Sequence, residues 1–212
     1  AVGNDFTCDI TIRKALAYGL DRQRVCEEAL NGYGVPAYSE NDGMPWYNPK
    51  SEIEFDLAYA QSLLDDAGWV DTDGDGIREK NGVKASTTLL YSAGDDVRQA
   101  IAMAVSNQIL ENLGIEMTVE GVGWQDLPAR MYSEPLILAW GSSNPKTSYM
   151  LYHSSNAGKE DWYNPENFTN EAVDGYLDAA IGARTLEEAI PYWQKAQWDG
   201  ETGTSMRGEC AY

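Results

Sequence analysis

A chain of 212 residues, 43% hydrophobic and 11% aromatic, carries enough apolar side chains for a sizeable core and is not disordered. Thirty-four acidic residues against 15 basic ones give a net charge of −19, which excludes nucleic acid and anionic membrane surfaces as partners. No apolar run approaches the roughly 20 residues of a membrane span; the longest is PLILAW at 135–140.

Residues 9–34 predict helix, with Ile12, Ala15, Leu16 and Leu20 on one face, Asp21 as a restarting N-cap, and Gly32 and Gly34 as the stop. Residues 35–49 hold three prolines and fit neither the helical nor the strand period. A second helix runs from its cap at Asp56 to Gly68, with Leu57, Ala60 and Leu64 inward. Next comes VDTDGDGIREKNG at 70–82, where Asp71, Asp73, Asp75 and Gly76 have calcium-loop spacing. The twelfth position, which should carry a bidentate Glu, is Gly82. A Gly/Asp turn is therefore expected first, and calcium on Asp71, Asp73 and Asp75 second.

Beyond this loop the pattern alternates. Strands are expected over 87–91, 115–122 and 136–140, the last the most buried. Between the first two lies a helix closed by Gly114, with Val97, Ile101, Val105 and Ile109 on one stripe. A short helix with Pro128 in its first turn precedes the third strand. This order implies a mainly parallel α/β sheet flanked by helices. Two helices close the chain, one capped by Asn170, the other opened by a Thr185/Glu188 capping box and kinked at Pro191. Three cysteines leave two alternatives, a bridge between Cys8 and Cys210 or reduced thiols throughout.

Ligands of open parallel sheets bind at the carboxyl ends of the strands. Three loops qualify, at 92–94, 121–124 and 141–145, with Tyr149, Tyr152 and His153 soon after. The candidate ligand contacts are Trp124, Trp140, Gly141, Ser142, Ser143, Asn144 and Tyr152: a few polar groups among aromatics. The alternative is that both tryptophans are core and the serines only turn the chain. No catalytic constellation is expected, because His153 is the single histidine and neither nucleophile-elbow nor zinc-type spacing occurs. A carboxylate-dependent secreted hydrolase and a calcium-dependent interaction module stand as competing functions.

IRKALAYGLDRQRVCEEALNGYGVPAYS, GMPWYNP, AQSLLDDAGWVDTDGDGIREKNG, DDVRQAIAMAVSNQILENLGIEM, ARMYS and YWQKAQWDGETG follow one another in order. This ordered set resembles the peptide/nickel family of extracellular solute-binding proteins of ABC transporters. The resemblance implies one lobe of a two-lobed periplasmic-binding-protein-like fold: residues 1–212 as the C-terminal lobe, with a helical segment 9–67, a sheet core 86–141 and closing helices 170–199. It implies a peptide, dipeptide or nickel chelate as solute, no required cofactor, and an N-terminal lobe and ABC permease subunits as partners. The implied location is the periplasm or the outer face of the membrane, lipid-anchored. The start AVGND, without methionine, fits a processed or partial chain. In the peptide-binding branch an Asp shortly after the strand-end Trp-Gly holds the peptide amino group; Asn144 stands in that stretch, and a neutral amide neutralises no ammonium.

Overall fold

The structure, a computed structural model, describes residues 4–140, 144–159 and 162–207. The chain divides into two compact units, one of Ala1–Pro36 and Glu54–Leu138, the other of Ala37–Ile53 and Ala139–Tyr212. The predicted 136–140 strand, Trp140 included, thus straddles a unit boundary.

In the first unit four helices start on aspartate: α1 (Ile10–Gly19) on Asp9, α2 (Arg22–Leu30) on Asp21, α3 (Leu57–Asp66) on Asp56, and α4 (Asp96–Leu113) on Asp95. Each carboxylate accepts an amide of its first turn, satisfying a donor that would otherwise be orphaned. The left-handed cap of α2 is Asn31, one residue before the predicted Gly32. Gly114 ends α4 at φ +63°, and a Cβ there would stand 2.9 Å from the Gly76 carbonyl, so only glycine closes this helix without displacement. A hairpin of β1 (Glu79–Lys80) and β2 (Val83–Lys84) precedes the main sheet.

That sheet has the order β4-β3-β5, from β3 (Ser86–Ser92), β4 (Glu116–Val122) and β5 (Leu136–Ile137), with both pairings parallel. A short α5 (Leu127–Arg130) leads into β5. The third strand corrects the expectation: it has two half-buried residues rather than a buried 136–140 run, because only Leu136 and Ile137 find partners on β3. The α4 stripe is also corrected. Val97 is exposed, while Ala102, Ala104, Gln108, Ile109 and Leu113 are buried. Helix α4 packs on α1 and α2 as well as on β3 and β4, so it buries more than one face and small residues serve where the neighbours crowd in. Gln108, wholly buried, bridges the α1–α2 joint: its Oε1 accepts Asp21 N–H at 2.5 Å and its Nε2 donates to the Asp21 carbonyl at 3.3 Å. The core collects Phe6, Ile12, Leu64, Trp69, Leu89, Ile109, Leu113 and Ile115.

The second unit holds α6 (Lys146–Tyr152), which the local pattern did not predict, with α7 (Glu171–Gly182) and α8 (Leu186–Gln197) packed together around Trp46, Leu151, Tyr152, Phe168, Leu177 and Trp193. Asn170 caps α7 as expected, and Thr185 caps α8; Glu188 returns its bond to Arg184 N, one residue before the cap. The irregular segment 37–53 needs other partners for its main chain. Gln197 supplies them, accepting Asn48 N–H at 2.9 Å and donating to the Trp46 carbonyl at 2.7 Å, while Asn48 Nδ2 donates to the Gln194 and Trp198 carbonyls, both at 2.8 Å.

Candidate functional site

Parallel pairing of Ser86–Ser92 with Glu116–Val122 places the loops after β3 and β4 side by side at one sheet edge. The Ala93 amide donates to the Val122 carbonyl at 2.9 Å, locking the two loops together. Trp124 stands there 53% exposed. The Arg98 guanidinium lies 5.7 Å from the centre of its ring, within cation–π range. Arg98 Nη1 donates to the buried Ser92 hydroxyl at 3.0 Å and to Asp95 at 2.6 Å. Two of the three predicted loops therefore meet, and Arg98, which the sequence did not single out, sits between them.

The third predicted loop belongs to the second unit; its Gly141, Ser142 and Ser143 lie outside the described residues, as does Cys210. Trp140 packs partly buried against the second core and meets Trp162 edge to face at 6.4 Å. Asn144 is exposed and opens α6, its Oδ1 accepting Lys146 N–H at 3.0 Å. Tyr152 is a core residue, 4% exposed, and its hydroxyl donates to Glu40 Oε2 at 3.2 Å. His153 is buried and stacked on Tyr149 at 4.4 Å. Its Nδ1 accepts Ser155 N–H at 3.1 Å, while its Nε2 is buried without a hydrogen bond, 3.3 Å from Asp178 Oδ1. That set of contacts ties α6 to α7.

Two carboxyls in this unit escaped the sequence. Glu40 accepts from Ser148 Oγ at 2.6 Å, Asn41 Nδ2 at 2.7 Å and Tyr152. Burial nevertheless pushes its pKa up, outweighing those donors. Glu166 is pushed up to about 7, first by burial and further by the charge of Glu40, and its Oε2 is buried with no hydrogen-bond partner. Only the fold brings these carboxyls close enough to interact, since they are 126 residues apart (166 − 40).

In the acidic loop Asp71, Asp73 and Glu79 place oxygens within 4.8 Å of one another. Asp75 instead pairs with Lys84, which holds its carboxyl below the usual range. Asp71 accepts the Gly74 and Gly76 amides at 2.7 and 2.9 Å, and Asp75 accepts Ile77 N–H at 2.9 Å, so the loop is closed by its own main chain. Glu79 takes the place that spacing assigned to Asp75, because the β1–β2 hairpin turns it back over Thr72.

Residues 2–162 match the family model of bacterial extracellular solute-binding proteins, family 5 Middle. The chain belongs to the family 5 solute-binding proteins. Protein XP55 of Streptomyces lividans is 40% identical over 189 residues, covering 87% of this chain and 34% of that protein. The oligopeptide-binding protein AppA of Bacillus subtilis is 34% identical over 165 residues, covering 74% of this chain and 30% of AppA. The solved structure of AppA in complex with a nonapeptide superposes with a TM-score of 0.76 at 29% identity, over 92% of this chain and 40% of AppA. The glutathione-binding protein GsiB of Salmonella typhi is 25% identical over 211 residues, covering 88% of this chain and 36% of that protein. The chain thus spans about a third of the length of these relatives. Among the described residues no helix is long and apolar enough to cross a membrane.

Proposed function

We propose that this chain is part of the substrate-binding component of an ABC importer, capturing an extracellular solute and delivering it to permease subunits in the membrane. The observation that carries this is the half-exposed Trp124 with Arg98 at the carboxyl edge of β3 and β4, in a chain of the solute-binding family. An aromatic face beside a few fixed polar groups suits a small ligand. AppA, an oligopeptide binder by name, supports a peptide as the solute. The partners are then the rest of the longer protein, which completes the enclosure, and the permease; a lipid anchor keeps the assembly at the outer face.

The protein acts by binding and release, not by catalysis. The hydrolase alternative needs two carboxylates free to reach a substrate, and Glu40 has both oxygens engaged by Ser148, Asn41 and Tyr152. The acidic loop is a structural turn first, and a cation on Asp71, Asp73 and Glu79 is an addition to it.

The test is NMR titration of the chain with a peptide panel. Shifts confined to residues 92–98 and 121–124, saturating at roughly millimolar concentration, are expected, because half of a micromolar binding energy of about 8 kcal/mol leaves a millimolar site. Peptides that leave these residues still would refute the proposal.

A further inference from the structure

We propose that the cleft between the carboxyl ends of α3 and α4 and the acidic loop binds a small alkylammonium ion. Its volume is about 350 Å³, the size of a small-molecule site. Gly114, which closes α4 just before β4 begins, belongs to its lining. The cleft therefore lies at the amino end of that strand, the far end from Trp124, and the inference stands apart from the solute-binding proposal.

The lining is rich in acceptors. Gln61 Nε2 donates to the Asn112 carbonyl and Asn112 Nδ2 to the Gly19 carbonyl, both at 2.8 Å. These bonds orient the two amides and leave each side-chain oxygen as an acceptor that no described residue engages. Asp65 and Asp71 add two carboxylates. Arg78, the cation of the lining, is already committed: its Nε donates to the Leu113 carbonyl at 2.9 Å, and its Nη1 to the Trp69 carbonyl at 2.6 Å and Asp65 Oδ1 at 2.5 Å. Two carboxylates against one guanidinium leave an excess of negative charge. The last turns of α3 and α4 add to it, because the carbonyl end of a helix is partially negative. A ligand that donates hydrogen bonds and carries positive charge satisfies all of these groups. Val70, 41% exposed, offers apolar surface to a short alkyl stem. A Cβ at Gly76 would meet nothing within 4 Å, so space remains beside the loop. Asp65 and Asp71 are exposed, and exposed ion pairs are weak, so an ammonium should be preferred over a hydroxyl on the same stem by about 3- to 10-fold.

The experiment titrates the 15N-labelled chain, in EDTA to keep divalent ions off Asp71, with 1,4-diaminobutane and, separately, with 1,4-butanediol. It follows the side-chain NH2 signals of Gln61 and Asn112 and the Gly76 and Gly114 amides. The diamine should move them at about 3- to 10-fold lower concentration than the diol. Potassium chloride at matched ionic strength controls for the counterions that a chain of net charge −19 gathers, and should leave them still. D65N leaves Arg78 to balance Asp71 alone and should cancel most of the preference. Equal responses to diamine and diol, or a response to potassium as large as that to the diamine, overturn the site; neither comparison needs a variant to fold. Diamine shifts spread over the acidic surface without these four groups overturn it as well, as does a full preference surviving in D65N.

Discussion

Replacing Glu166 with glutamine should stabilise the protein at pH 8 and change it little at pH 5. Its carboxyl has a pKa of about 7 in the folded chain against an ordinary 4.5, chiefly because burial penalises the charge. At about 1.4 kcal/mol per pH unit, that difference corresponds to about 3 kcal/mol of preference for the protonated form, and partial exposure of the residue brings the expected figure to about 2–3 kcal/mol. The sign follows from the raised value. Below pH 4.5 the carboxyl is protonated in both states and costs nothing; between 4.5 and about 7 the unfolded chain gives up this proton while the folded one keeps it, so stability falls, and the loss is complete once pH has passed the folded value. Glutamine mimics the neutral acid at every pH. Urea unfolding followed by tryptophan fluorescence, from pH 5 to pH 8, reads the difference between the two proteins. That difference should open across the interval and level off above pH 8. A gap that stays constant with pH would refute the reasoning, since it would place the effect in packing and not in ionisation.

Arg78→Met removes the bonds to the Leu113 carbonyl at 2.9 Å and the Trp69 carbonyl at 2.6 Å, and should destabilise by about 2–3 kcal/mol in thermal melts. Asn164→Ala removes bonds to the His153 carbonyl and to Phe168 N–H and C=O at a buried position with φ +41°; about 2–4 kcal/mol of lost stability is expected, and a loss under about 0.5 kcal/mol would show that the loop does not depend on it. Chelator should leave the fold intact by circular dichroism, because the acidic loop is closed by its own amides; collapse in EDTA would make a cation the primary support.

How much the sequence revealed depended on how local the cause was. The aspartate caps at 9, 21, 56 and 95 act within one turn, and those the pattern picked out, Asp21 and Asp56, hold. Strands β3 and β4 were legible for the same reason, since a Thr/Leu-rich run over 87–91 and the apolar residues recurring at 115, 117 and 119 are both properties of neighbours. The buried face of α4 was not, because Gln108 and Ala102 are buried by elements elsewhere in the chain, and a glutamine reads as solvent-facing until Asp21 is placed opposite it. Glu40 escaped similarly: Asn41 is a local donor, but Ser148 and Tyr152, which complete its bonds, arrive only with α6. The candidate site divides along the same line. Trp124 was visible as an aromatic following a strand, but Arg98, three residues after Asp95, reads as half of an ordinary surface ion pair. What distinguishes it is long-range: parallel register sets Ser92 opposite Val122, so the loop that ends in Trp124 arrives beside the first turn of α4. A spacing rule sees the pair with Asp95; only the sheet shows that Trp124 comes to lie over the guanidinium.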